Sequence, residues 1–167
     1  MHLELMRIKQ KDFPDIQNPE SITSARIWHC NYTSLASLSK LKNLQTLSIA
    51  TYPDTTFEPL AELQLLESLE IVHLPKIVSL SPLAHLKQLK KLSLSTLPSW
   101  DSSGKITVIE SLEPLAELPL LEDVSLFGVV PKCKSVDELL KSTSLQKIRI
   151  SKYPKSERQK VIQHVGA

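Results

Sequence analysis

The side chains of this chain whose chemistry could reach beyond packing are the imidazoles of His29 and His73, the hydroxyls of Ser48, Ser93 and Ser125, the carboxylates of Glu67 and Glu70, and the thiols of Cys30 and Cys133. Two histidines on one surface could begin a metal site, but a zinc site needs at least a third protein ligand within about 2 Å of the ion. Midway between His29 and His73 stands Thr51, which is not such a ligand, so no metal is expected. A serine nucleophile needs a base at hydrogen-bond reach. Ser48, Ser93 and Ser125 instead recur at one position of a repeating pattern, as small polar residues do on the wet face of a strand. Glu67 and Glu70 read as surface charges. Cys133 lies between Lys132 and Lys134, whose charges would favour a thiolate, but it reads as an incidental loop thiol, and it stands too far from Cys30 in the pattern for a disulfide.

The motifs of phosphate loops, H-E-x-x-H metal pairs, C-x-x-C pairs and G-x-S-x-G elbows are absent, and three glycines are all that could bring backbone close to a ligand. The familiar enzyme classes thus have no positive support in the sequence, and no cofactor is expected. An enzyme with an unrecognised site is the least favoured of the functional alternatives.

The elements that must hold these side chains repeat. One apolar column runs through Leu3, Ile22, Leu44, Leu66, Leu89, Leu121 and Leu145, at intervals of 19, 22, 22, 23, 32 and 24 residues. Three residues on stand Met6, Ala25, Leu47, Leu69, Leu92, Val124 and Ile148; two further on stand Ile8, Ile27, Ile49, Ile71, Leu94, Leu126 and Ile150. Ahead of each strand, Ile16, Leu38, Leu60, Leu83, Leu115 and Leu139 form another column, preceded by Phe13, Leu35, Phe57, Leu80, Leu112 and Val136. The spacing changes inside every unit from threes to strict alternation, and a change of period marks a change of backbone. Each unit therefore predicts a helical turn followed by a short strand. Pro59, Pro82 and Pro114 suit the first helical position, and Ser81 is expected to cap one turn. One such coil cannot enclose its own leucines, so coils must stack.

This spacing resembles that of the leucine-rich repeat family, in a short form of about 22 residues frequent in bacterial proteins. The resemblance covers nearly the whole chain. It implies an α/β solenoid: a right-handed, curved stack of about seven coils, with a concave parallel β-sheet and short helical or 3-10 turns on the convex side. A single domain over residues 1–167 is expected, with repeats to about 153 and a capping helix over about 155–166. For that helix, Ser156 to Gln159 has a capping-box form, Val161, Ile162 and Val165 share a face, and Gly166 provides the stop. The family usually carries an Asn three residues beyond the last strand leucine. Here the column reads Cys30, Tyr52, Leu74, Leu97, Val129 and Tyr153, four of them followed by proline, so ring rigidity and apolar contact are expected to hold the turn.

Two irregularities stand out. The first strand, read as Leu3 to Ile8, has no cap before it, and an open edge predicts self-association or partner contact. The interval of 32 exposes an insertion running from Pro98 to Val108, read either as a projecting binding loop carrying Trp100 or as a surface insertion with Trp100 folded over Ile106 and Val108.

Net charge is +2, which gives little support to nucleic-acid binding. Acids outnumber bases from Thr51 to Leu120, and Lys147, Arg149, Lys152, Lys155, Arg158 and Lys160 make the C-terminal end basic, as a solvated capping face. No apolar run approaches a bilayer span and no signal-peptide pattern opens the sequence, so a cytoplasmic protein without membrane contact is expected.

The side chains pointing away from the core can be listed by register as Arg7, Arg26, Ser48, Glu70, Ser93, Ser125, Arg149; then Lys9, Trp28, Ala50, Val72, Ser95, Phe127, Ser151; then Gln10, His29, Thr51, His73, Thr96, Gly128, Lys152. Arg26, Trp28, His29, Glu70, Val72, His73, Trp100 and Phe127 are the candidate partner-binding residues, because aromatic and arginine anchors dominate protein interfaces. The expected function is non-catalytic protein binding. The resemblance suggests an adaptor or an immunity-type protein that neutralises a bacterial toxin or effector enzyme, and the alternative is an effector that engages host proteins.

Overall fold

Alternating apolar residues place one buried and one outward face on each strand, and every coil adds one strand to the same parallel sheet. The computed structural model describes residues 1–165. Nine strands occur among them: β1 (His2–Met6), β2 (Ser24–Trp28), β3 (Thr46–Ala50), β4 (Ser68–Val72), β5 (Lys91–Ser95), β6 (Thr107–Ile109), β7 (Asp123–Phe127), β8 (Val129–Pro131) and β9 (Lys147–Ser151). Seven of them form one sheet in the order β1-β2-β3-β4-β5-β7-β9, and β6 pairs with β8 in a second, small one. All pairings are parallel. No helix in the described residues is long and apolar enough to cross a membrane.

Helical segments on the return side are short: α1 (Glu58–Ala61), α3 (Glu113–Ala116), and 3-10 turns at Ala36–Lys40, Ser81–His85 and Leu139–Lys141. The core is the set of predicted columns, from Leu38, Leu60, Leu83 and Leu115 on the turns to Leu47, Leu69 and Leu92 on the strands, all at most 2% exposed. Each such side chain contributes roughly 1.5–3 kcal/mol by leaving water.

The register corrects the reading of the first coil. Leu3 pairs with Ala25 and Leu5 with Ile27, so β1 ends at Met6 and the interval to β2 is 22 residues, not 19. Leu3-x-Leu5 and Met6-x-Ile8 both offer an alternating apolar pair, and the first of them takes the strand. Glu4, not Arg7, therefore faces Arg26, and Met6, not Lys9, faces Trp28. Arg7 falls one position beyond the strand with φ 53°, matching φ 54° at His29, and Ile8 packs against the core there.

The capping of the turns is also different. Ser81 is already inside its turn, and its N–H donates to Ser79 Oγ at 3.2 Å. The same bond recurs at Ser34, Thr56, Ser111 and Ser135, each hydroxyl accepting the N–H two residues on. A hydroxyl column thus opens the convex turns, as Ser and Thr do in short local loops. At the strand exits, where the family's Asn is missing, Tyr52, Leu74, Val129 and Tyr153 are buried and supply the expected apolar contact. Tyr52 also donates its hydroxyl to Thr56 O at 2.9 Å and Tyr153 to Val129 O at 2.8 Å. Burial pushes both phenols far above their usual pKa, so each keeps the proton that it donates.

The insertion does not project. It folds as α2 (Pro98–Ser103), ends at Gly104 in the left-handed region, and returns through β6, whose partner is β8. Trp100 packs edge-on against His73, with ring centroids 5.0 Å apart.

The final helix, α4 (Lys155–Val165), starts directly after Pro154. Ser156 is therefore within the helix and the capping box does not form. Val161 is buried and Val165 packs on the core, but Ile162 is 53% exposed, so the lid uses a narrower face than the three-residue stripe predicted. Gly166 lies outside the described residues.

Candidate binding surface

Strand alternation turns three side chains of every main strand away from the core, and parallel register aligns them into rows running across the sheet. The central row is Glu4, Arg26, Ser48, Glu70, Ser93, Ser125 and Arg149. Beside it runs Met6, Trp28, Ala50, Val72, Ser95, Phe127 and Ser151. On the other side lies a row absent from the sequence reading: His2, Ser24, Thr46, Ser68, Lys91, Asp123 and Lys147. It sits two residues before the central row in every strand, so the same column alignment contains it.

At the N-terminal end of the face, the Arg26 guanidinium lies 4.6 Å from the centroid of the Trp28 ring and 3.5 Å from Glu4. His29 meets the same indole edge-on at 5.8 Å. Arg26, Trp28 and His29 thus form one cluster. Between Trp28 and Val72 in the register, Ala50 is only 1% exposed, so the indole both presents a surface and covers the alanine.

Glu70, Val72 and His73 make a second group two strands along, with Trp100 added from α2. Glu70 accepts the Ser48 hydroxyl at 2.8 Å. His73 is partly buried against Trp100, and its Nδ1 finds no partner among the described residues. Burial lowers the imidazole below its usual pKa, so it is neutral at pH 7. The α2 segment is tied at its other side by Lys152, whose Nζ donates to Asp101 O at 2.9 Å. It therefore spans the strand exits from β4 to β9. Phe127 stands apart from both groups, 40% exposed on β7.

The middle and C-terminal part of the face holds a shallow hollow of about 230 Å³ whose lining includes Glu70, Lys91, Ser93, Asp123, Ser125 and Arg149. Arg149 bridges Asp123 at 2.6 Å and donates to Ser125 Oγ at 2.9 Å. Ser48 and Ser125 are thus engaged by a carboxylate and a guanidinium, and neither has a histidine base. No group of three or more His, Cys, Asp or Glu side chains comes together among the described residues.

No protein-family model matches the sequence, and no curated protein does. Solved structures do resemble the fold. An internalin (inlF) from Listeria monocytogenes superposes with a TM-score of 0.58 at 22% identity, over 77% of this chain and 34% of that one. An internalin C2 (inlC2) from the same organism gives a TM-score of 0.56 at 25% identity, over 79% of this chain and 53% of that one. The chain thus spans about a third and about half of the length of these two proteins. With this likeness, the 22-residue strand register and the seven-stranded parallel sheet give the chain the fold of a leucine-rich repeat solenoid.

Proposed function

We propose that this chain is a non-catalytic binding module that presents the outward face of its seven-stranded sheet to another protein. The observation that carries the reading is the row Met6, Trp28, Val72 and Phe127, with the Arg26 guanidinium stacked on Trp28. Exposed aromatic, methionine and arginine side chains on a rigid surface are the composition of an interface core rather than of an ordinary wet sheet face. The columns buried beneath hold that surface in place, which lowers the ordering cost of association.

Arg26, Trp28 and His29 form the principal anchor in this reading, and Glu70, Val72, His73, Trp100 and Phe127 extend it. The narrower role is that of a cytoplasmic adaptor or of an immunity-type partner of a bacterial toxin or effector enzyme. Free Cys30 and free, exposed Cys133 fit a reducing compartment. The alternative, an effector engaging host proteins, is separated by the source of the captured protein.

Capture from native lysate, followed by affinity measurement with the retained protein, tests the proposal. Trp28→Ala is expected to cost about 2 kcal/mol or more of binding. An unchanged dissociation constant for Trp28→Ala and Arg26→Ala alike would remove the anchor from the account.

A further inference from the structure

We infer that the half of the outward face formed by β5, β7 and β9 receives an acidic segment of the partner protein, with carboxylates on Lys91 and Lys147 and an apolar side chain on Phe127. This rests on the reading of the sheet face as a protein-binding surface and adds the chemistry of what binds there.

The register sets Lys91, Asp123 and Lys147 side by side on consecutive strands. At about 4.8 Å per strand, the two lysines are roughly 10 Å apart along the row. Asp123, between them, is bridged by Arg149 at 2.6 Å. Among the described residues no carboxylate lies within ion-pair distance of either Lys91 or Lys147. Both are exposed on a sheet face, where a cation without a counter-charge is available to an incoming anion.

This half of the face and its edge carry Lys91, Lys147, Arg149 and Lys152 against Asp123 and Asp101, an excess of two positive charges. The outward rows of β1 to β4 carry Arg26 against Glu4 and Glu70, so the two halves of the face differ in sign. Phe127, 40% exposed on the central strand of the three, gives an apolar contact across the central row from the lysines, four residues and so roughly 13 Å along β7. Glu70 closes the N-terminal side of the hollow with the opposite sign, which confines a partner's acids to β5, β7 and β9 and favours a basic group next to them. A nucleic acid fits less well. Its continuous phosphates would meet both Glu70 and Asp123, and one phenylalanine does not make a stacking platform.

The test is a random peptide library displayed on phage and selected against the intact chain, with the enriched peptides then synthesised and titrated. The expected result is enrichment of peptides bearing Asp or Glu about four residues from an apolar one, the spacing of the lysine row from Phe127. Their affinity falls about tenfold or more with Lys91→Glu or Lys147→Glu, falls with added salt, and survives Trp28→Ala. Circular dichroism of the variants shows whether each is folded, and Lys91→Gln with Lys147→Gln provides a milder pair for the same titration. Failure to enrich acidic peptides, or acidic peptides indifferent to both lysine reversals, overturns the proposal. Neutral or basic peptides that lose binding with Trp28→Ala overturn it too, while upholding the sheet face as the binding surface. Peptides indifferent to every substitution on the face overturn both readings. Tighter binding of a single-stranded oligonucleotide than of any acidic peptide at the same lysines also overturns it.

Discussion

A Cβ placed on Gly128 would overlap the Thr96 hydroxyl and crowd its methyl group at 3.1 Å, and the backbone there has φ 73°. The glycine stands one position beyond β7, where Arg7, His29, Thr51, His73 and Lys152 also take positive φ in their own coils. At Thr96 the chain turns aside into α2, its side chain is buried, and the next coil must pass beneath it. Gly128→Ala is expected to cost about 1–3 kcal/mol in urea unfolding, and adding Thr96→Ala should recover part of that loss. Strict additivity of the two substitutions would contradict the contact. Arg26, Trp28 and His29 could be placed together from sequence because they lie within one strand and its exit. The meeting of Trp100 with His73 could not, since it depends on how eleven inserted residues fold back, and no column constrains them.

Turns in this stack are fastened from the neighbouring coil. Asp54 Oδ2 accepts the N–H of Leu35, Glu138 Oε2 accepts that of Leu112, and Glu157 Oε2 accepts that of Val136, each at 2.7–2.9 Å. These carboxylates, together with the Ser and Thr hydroxyls that open the turns, satisfy N–H groups at the start of the convex turns. Their separations along the chain are 19, 26 and 21 residues, so they form no column and sequence alignment does not reveal them. The hydroxyl column, by contrast, sits directly before Leu35, Phe57, Leu80, Leu112 and Val136 and could have been read. Glu138 is held below its usual pKa chiefly by the Ser111 hydroxyl and then by the Leu112 N–H, and Glu157 chiefly by the Val136 N–H and then by Lys160. A lowered folded value means that this stabilisation is complete above the unfolded value of about 4.3 and is lost as pH falls through the folded one. Unfolding free energy should therefore drop on acidification below about pH 4.3, and the drop should be shallower in Glu138→Gln/Glu157→Gln. An identical acid dependence in the double variant would show that these bonds do not contribute.

Across the molecule, the period of 22 specifies almost everything about the sheet, because a misplaced coil would expose several large aliphatic side chains at once. It failed only where two alternating pairs competed, at Leu3-x-Leu5 and Met6-x-Ile8, and where the insertion suspended it. Among the described residues no strand lies beyond β1, and Met6 at its end is 41% exposed. We expect association through that edge, seen in light scattering as an apparent mass that rises with concentration; a mass constant at 18.8 kDa would dismiss it. The larger claim is that the outward sheet face, and not the turn side, meets the partner. Hydroxyl-radical footprinting of the complex with the captured protein tests it most directly, since Met6, Trp28 and Phe127 are reactive side chains on that face and Leu65 and Leu120 are exposed at the start of the approach to the strands. The account predicts that Met6, Trp28 and Phe127 lose reactivity on binding while Leu65 and Leu120 keep theirs. Protection of Leu65 and Leu120 with the three sheet-face residues unchanged would contradict it.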